Sequence, residues 1–165
     1  MDIRWMIRRD LSEVLAIENA SFDYPWGEDE LLQKLRMRNC IGMVAKSPDE
    51  EVLGFMVYLF KKSDLSLLNF AVAPDVRRSG VGAAMVNKLI DKLSPQRRIK
   101  ICLTIRETNV AGQLFFRSQG FLATEIIPEN YHDTNEDAYA MNYTVNDAPR
   151  GERTHQHIRR DIDRD

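Results

Sequence analysis

The chain has 165 residues, of which 44% are hydrophobic and 29% charged, a composition typical of a folded domain with its own core. A formal net charge of −2 excludes a protein held to nucleic acid or to an anionic membrane by overall charge. No apolar run is long enough to span a membrane, and the first ten residues lack the apolar core of a signal peptide. Cys40 and Cys102 lie in apolar runs, so we expect reduced thiols and a cytoplasmic protein. No Cys/His cluster has the spacing of metal ligands, so we expect no metal.

The spacing of apolar residues predicts seven strands, at residues 3–8, 41–46, 52–61, 67–72, 99–105, 121–127 and 137–145. A first helix is predicted from a capping box of Asp10 and Glu13 to a break at Phe22, and three more at 28–38, 81–93 and 109–118. The order β-α-α-β-β-β-α-β-α-β-β is that of an α/β domain over residues 1–145. Residues 146–165 are rich in charges of both signs, and we expect a disordered tail.

The stretch 67–93 carries the strongest functional signal. A strand expected to be buried on both faces leads, through a loop containing Arg77 and Arg78, into a helix that opens with Gly80 and Gly82. The first backbone N–H groups of a helix have no internal partners, and glycine lets an anion approach them closely. The loop therefore predicts a site for a phosphate or pyrophosphate. It lacks the Gly-Lys-Ser/Thr end of a Walker loop and the third glycine of a dinucleotide fingerprint.

Residues 77–82, Arg-Arg-Ser-Gly-Val-Gly, resemble the acetyl-CoA loop of the GNAT acetyltransferases, Arg/Gln-x-x-Gly-x-Gly/Ala. Further segments resemble the family in the same order along residues 3–145: LNFAV at 68–72, and TNVA at 108–111 followed by FFRSQGF at 115–121. Phe22, the YPW segment at 24–26 and the ENYHD segment at 129–133 are similar to the RimI-like subgroup. Members of that subgroup acetylate the N-terminal alanine of a small-subunit ribosomal protein.

The resemblance implies a GNAT fold, a mixed and mostly antiparallel sheet of about seven strands flanked by about four helices and splayed between strands 4 and 5. It also implies acetyl-CoA as co-substrate, with pantetheine paired to the backbone of strand 4 and with the pyrophosphate on the loop. Asn109 is expected to bind the pantetheine arm, and Phe116 to line the thiol end. The residues implied to bind acetyl-CoA are Phe70, Ala71, Val72, Arg77, Arg78, Ser79, Gly80, Val81, Gly82, Ala83, Asn109 and Phe116.

Acetyl transfer from a thioester to an amine needs a neutral amine, a polarised carbonyl and a proton for the leaving thiolate. The resemblance makes the Val72 N–H the group that polarises the carbonyl, and Tyr131 the acid that protonates the thiolate. The chain departs from the family twice, because the strand glutamate that serves as base is Thr104 and the common motif tyrosine is Phe116.

With that base missing, we expect the amine to lose its proton through ordered water, helped by Asn69, by Thr104 or by a carboxylate such as Glu129 or Asp133. The acceptor is expected to lie against Phe22, Tyr24 and Trp26, with the acidic residues Glu129 and Asp133 attracting its ammonium group.

The implied partner is a protein N-terminus, such as that of a ribosomal protein, acetylated by a monomer or weak dimer that binds neither nucleic acid nor membrane. Two other functions fit the same residues. One is a GNAT enzyme for a small-molecule amine, and the other is a catalytically inactive module that binds acyl-CoA. The inactive module is suggested by the two departures, Thr104 and Phe116, while the presence of Tyr131 favours an enzyme.

Overall fold

The computed structural model describes residues 1–131 and 134–145. His132, Asp133 and the predicted tail at 146–165 lie outside the described residues, so what the sequence predicts for them stays a prediction. Among the described residues, seven strands follow the predicted order: β1 Asp2–Trp5, β2 Cys40–Lys46, β3 Val52–Phe60, β4 Asp64–Val72, β5 Lys100–Arg106, β6 Leu122–Tyr131 and β7 Glu136–Thr144. The same residues form four α-helices, α1 Leu11–Ser21, α2 Glu28–Arg36, α3 Val81–Ile90 and α4 Val110–Ser118.

The chain divides into two compact units, the first formed by Met1–Lys61 with Leu67–Asp91. Its strands follow the order β1-β2-β3-β4. β1 and β2 pair antiparallel, with Ile3 opposite Ala45, and β2 and β3 pair antiparallel, with Met43 opposite Met56. The core of this unit is a cluster of buried apolar side chains from its strands and from α1 and α2, which includes Val14, Ile17, Leu31, Val44, Phe55, Val57 and Ala71.

The second unit is formed by Lys62–Ser66 and by the described residues from Lys92 onward. Its strands follow the order β5-β7-β6, and both pairs are antiparallel, with Leu103 opposite Met141 and Ile126 opposite Tyr139. Ile101, Leu103 and Ile105 are buried, as the alternation in the sequence predicts. Aromatic rings extend this core, because Phe116 lies edge-on to Phe121 at a centroid distance of 5.2 Å.

Three details of the sequence prediction are wrong. Asp10 does not cap α1, because its carboxylate instead accepts from the Ile7 N–H at 2.8 Å and closes a 3-10 turn, Arg8–Asp10, ahead of the helix. β6 continues to Tyr131 through the predicted loop, since Pro128 is tolerated in an edge strand. β4 is not buried on both faces, because Leu68, Asn69, Phe70 and Val72 are partly exposed.

A buried ionic cluster ties β1 and β2 to the start of α1. The carboxylate of Asp10 is only 1% exposed and accepts from the two terminal nitrogens of the Arg4 guanidinium, at 2.9 and 3.0 Å. The Lys46 ammonium lies 3.4 Å from the same carboxylate and 3.8 Å from Glu50. Burial disfavours the charged carboxylate, but hydrogen bonds from Arg4, the Ile7 N–H and Lys46 outweigh it and lower the pKa of Asp10.

Cys40 in β2 and Cys102 in β5 are both reduced thiols, as the sequence predicts. Among the described residues, no helix has the length and apolar character needed to cross a membrane.

Candidate active site

The glycine loop of the first unit has the backbone geometry that suits an anion. Gly80 precedes α3 with φ of 87°, a left-handed conformation that favours glycine, and a Cβ there would meet no atom within 4 Å. Arg78 is also left-handed, with φ of 62°. Ser79 is exposed, and its hydroxyl donates to the Val76 carbonyl. Alternating left-handed residues before a helix turn several N–H groups toward one concavity, so the loop fits the predicted pyrophosphate.

Arg77 connects this loop to two other elements of the first unit. Its Nε donates to the Val72 carbonyl at 3.0 Å, and its Nη2 donates to the Ser21 hydroxyl at 3.0 Å. These bonds join the end of β4 to the end of α1, the helix that precedes the predicted acceptor segment. The guanidinium therefore fixes the loop as well as adding positive charge to it.

Asn69 and Glu18 form a directional chain of hydrogen bonds beside β4. The Phe70 N–H donates to Asn69 Oδ1 at 2.9 Å, and Asn69 Nδ2 donates to Glu18 Oε2 at 2.8 Å. The other carboxylate oxygen, Oε1, accepts from the Trp26 N–H at 3.0 Å. In each of these hydrogen bonds the donor lies on the side away from the carboxylate, which only accepts. Glu18 therefore fixes both β4 and the segment that follows α1.

Glu18 is a buried acid inside the first unit, with only 3% of its surface exposed. Burial raises the pKa of this carboxyl, and Glu30 acts in the same direction, while the bonds from Trp26 and Asn69 oppose the rise. A buried carboxyl with a raised pKa beside a predicted substrate segment is a candidate for proton transfer.

Glu18→Gln is expected to destabilise the fold by about 1–3 kcal/mol, because a buried donor loses its acceptor. The amide NH2 of glutamine would face a donor at either position, the Trp26 N–H or Asn69 Nδ2. Flipping Asn69 gives no relief, since its Nδ2 would then face the Phe70 N–H. Thermal unfolding measures the loss, with Glu28→Gln at the exposed start of α2 as the matched control. Equal stability of the two variants would contradict the directional chain.

The predicted acceptor residues of the first unit differ in their exposure. Phe22 and Trp26 pack against the core cluster and are half-buried, whereas Tyr24 is 52% exposed. The Lys34 ammonium lies 5.8 Å from the centroid of the Trp26 ring. The segment thus offers an apolar surface whose backbone is fixed by Glu18 at Trp26.

In the second unit, Tyr131 is the last residue of β6 and is half-buried. The Arg106 guanidinium stacks on its ring, with Cζ 3.8 Å from the ring centroid. Arg106 also lies 3.7 Å from the Glu136 carboxylate and donates to the Thr134 hydroxyl at 3.2 Å. The backbone of β6 just before Tyr131 is fixed at Glu129, which has φ of 48° and whose N–H donates to the Asp137 carboxylate at 3.0 Å.

The remaining predicted site residues of this unit have structural partners of their own. Asn109 caps α4, with Oδ1 accepting from the Gly112 N–H at 3.0 Å. Phe116 is buried between Phe115 and Phe121. Thr104 is exposed on β5, opposite Ala140. Asp133, the other predicted acidic residue of the loop, lies outside the described residues.

Sequence reasoning missed Glu18 and Arg106. A signal for Glu18 was present. It follows Leu11, Val14 and Leu15 at helical spacing and so lies on the same inward face of the helix, where an apolar residue is expected. Arg106 gave no such signal, since its role depends on how β5 and β6 each pair with β7.

Comparison with known proteins bears on the family and the fold of the chain. The profile of the acetyltransferase (GNAT) family matches residues 11–121. The ribosomal protein bS18-alanine N-acetyltransferase of Salmonella typhimurium is 29% identical over 137 residues, which cover 80% of this chain and 89% of that protein. The crystal structure of the ribosomal-protein-S18-alanine N-acetyltransferase of Escherichia coli superposes with a TM-score of 0.77 at 25% identity, covering 91% of this chain and 97% of that one.

Ard1 of Thermoplasma volcanium is similar to the same degree, with a TM-score of 0.78 and 26% identity over 88% of this chain and 98% of that one. The GNAT fold predicted from the motifs is therefore confirmed, with seven strands and four helices in the part of the chain that the structure describes. The predicted splay between strands 4 and 5 concerns the relation of the two units and stays a prediction. The chain belongs to the GNAT family of acetyltransferases.

Proposed function

We propose that this protein is an acetyl-CoA-dependent N-acetyltransferase whose acceptor is the N-terminal alanine of ribosomal protein bS18. The observation that carries the proposal is the match to bS18-alanine N-acetyltransferases, over 80% of this chain in sequence and 91% in fold. The glycine loop before α3 and Tyr131 at the end of β6, the features that the sequence motifs single out, support it. A ribosomal acceptor would place the reaction in the cytoplasm.

The first unit supplies the groups that hold the acetyl donor. Acetyl-CoA brings the acetyl group as a thioester, and the loop 77–83 offers backbone N–H groups and two arginines to its pyrophosphate. The Phe70 N–H is already bound to Asn69, so the expected pairing with pantetheine needs the Phe70 carbonyl oxygen, which can accept two hydrogen bonds. The Val72 N–H remains the proposed donor to the thioester carbonyl.

Glu18 is the best candidate for the group that receives the proton of the amine. Among the groups expected from the sequence, Asn69 is held by two bonds of its own, and Thr104 is not basic at neutral pH. Glu18 has the raised pKa that strengthens a carboxylate as a base, and its oxygens keep lone pairs for a water molecule. We propose that a water held by Glu18 takes the proton from the amine and gives one of its own protons to the Glu18 carboxylate.

The second unit supplies the acid. When the amine nitrogen bonds to the acetyl carbon and the carbon–sulfur bond breaks, the sulfur leaves as a thiolate. We propose that the O–H bond of Tyr131 breaks and a new S–H bond forms, after which solvent returns a proton to the phenolate. Phe116, at the position of the family's common tyrosine, has no proton to give.

The proposed acceptor is tested by measuring free thiol release from acetyl-CoA with a panel of amines. The panel holds bS18-derived peptides that begin with Ala, Ser, Thr or Met, the Ala peptide with a blocked N-terminus, and spermidine. We expect turnover of the unblocked Ala peptide and at least tenfold lower kcat/KM for the others, about 1.4 kcal/mol of discrimination. Turnover of spermidine alone would assign the enzyme to a small-molecule amine. Binding of acetyl-CoA without turnover of any amine would support the inactive module.

A further inference from the structure

We propose that Arg106 is a positioning residue that holds the Tyr131 ring in the orientation needed to protonate the leaving thiolate. This inference rests on the proposed function, in which Tyr131 is the acid. No motif in the sequence assigns a role to Arg106. The proposal comes from the stacked geometry of the two side chains in the second unit.

The guanidinium of Arg106 covers the face of the Tyr131 ring at 3.8 Å, well within the range of a cation–π contact. A planar guanidinium stacked at this distance restricts the tilting of the ring. The contact therefore acts on the orientation of the ring.

Arg106 is in turn held by the hairpin that carries Tyr131. Its Nη1 lies 3.7 Å from Glu136 Oε1 and 3.2 Å from the Thr134 hydroxyl, and its side chain is only 23% exposed. The Thr108 hydroxyl donates to the other oxygen of Glu136 at 2.6 Å. The register sets Tyr131 opposite Glu136, and Arg106 opposite Ala138 two residues further along β7. Glu136 and Thr134 thus fix the Arg106 guanidinium against the Tyr131 ring.

A residue that only stabilised the hairpin would give a different result from one that acts through Tyr131. Loss of a purely structural residue lowers stability and slows the enzyme whether or not Tyr131 keeps its hydroxyl. Loss of a residue that positions the hydroxyl has no further effect once the hydroxyl is gone. A double-mutant cycle separates the two.

The test compares Arg106→Met, Arg106→Lys, Tyr131→Phe and the double variant Arg106→Met/Tyr131→Phe on the bS18 Ala peptide. We expect Arg106→Met to lower kcat about tenfold with the KM for acetyl-CoA within about twofold of wild type, as loss of a cation–π contact allows. Arg106→Lys keeps the positive charge but lacks the planar guanidinium, so its kcat should lie between those of Arg106→Met and wild type. The double variant should be as slow as Tyr131→Phe alone. Arg117→Met, exposed on α4, is the matched control.

An additive double variant, a loss confined to KM, or equal rates for Arg106→Met and Arg117→Met would each overturn the proposal. If Arg106→Met fails to fold, Glu136→Gln loosens the guanidinium from its anchor and should lower kcat by a smaller factor, again only when Tyr131 is present. If Tyr131→Phe keeps full activity, the acid of the proposed function is wrong, which is a different outcome from failure of Arg106.

A second readout needs no acceptor. The chain has five tyrosines, so the ring signals of Tyr131 in protein labelled with 13C-tyrosine are identified by their loss in Tyr131→Phe. We expect Arg106→Met to shift the Tyr131 signals while those of the buried Tyr58 and Tyr143 stay in place. Unchanged Tyr131 signals would overturn the inference even if the protein acetylates bS18.

Discussion

Tyr131→Phe is expected to lower kcat for the bS18 Ala peptide about 100-fold while leaving the KM for acetyl-CoA nearly unchanged, the lower end of the effect of a lost general acid. Phenylalanine keeps the ring and its contact with Arg106 but has no proton to give to the thiolate. Steady-state kinetics with thiol detection measures the change. The loss falls on kcat, because the hydroxyl acts after both substrates are bound.

Tyr139→Phe is the matched control for this variant, since Tyr139 lies on the neighbouring strand β7, opposite Ile105 and Ile126. It removes the same hydroxyl group without touching the proposed acid. Equal kcat for Tyr131→Phe and Tyr139→Phe would contradict the role given to Tyr131, and a change confined to KM would assign it to binding.

Asp10→Asn is expected to destabilise the protein by about 3 kcal/mol, because the buried Lys46 ammonium loses its buried carboxylate partner and keeps only the exposed Glu50 carboxylate, 3.8 Å away. Asparagine also gives up the paired bonds to Arg4. The expected fall in Tm is about 6–12 °C for a chain of this length. Thermal unfolding at pH 7 measures it, with Asp49→Asn in the exposed turn after β2 as control.

The stabilisation by Asp10 also depends on pH in a defined direction. The pKa of Asp10 is lowered in the folded protein. At pH values near its ordinary pKa of 3.8, this carboxyl therefore binds more protons in the unfolded chain than in the folded one. The contribution is therefore present above that pH and is lost as pH falls further. The difference in Tm between wild type and Asp10→Asn should shrink below pH 3.8. A difference that stayed constant down to pH 3, or grew, would contradict the assignment.

The order and approximate positions of the helices and strands were predictable from the sequence, because they depend on the local spacing of apolar residues. The alternation of Ile101, Leu103 and Ile105 predicts the buried face of β5, and Gly80 predicts the start of α3. The glycine loop was predictable for the same reason, since its signature lies within six consecutive residues.

The contacts that give the site its chemistry were not predictable, because they join residues far apart in the chain. Asp10 followed by Glu13 satisfies the pattern of a capping box, yet Asp10 binds Arg4 and Lys46, and the tertiary pairing outweighs the local preference. Glu18 meets Asn69 across 51 positions. The stacking of Arg106 on Tyr131 likewise depends on the register of two strand pairs.

The central claim is that this protein acetylates an N-terminal alanine of bS18, and the most direct test maps the modified atom. A synthetic peptide with the N-terminal sequence of bS18, beginning with alanine and carrying one internal lysine, is incubated with the enzyme and acetyl-CoA and then fragmented in a mass spectrometer. The proposal predicts a single acetyl group on the alanine α-amine and no reaction of the same peptide once its N-terminus is blocked. Acetyl on the lysine, or an unmodified peptide in the presence of enzyme that binds acetyl-CoA, would contradict it.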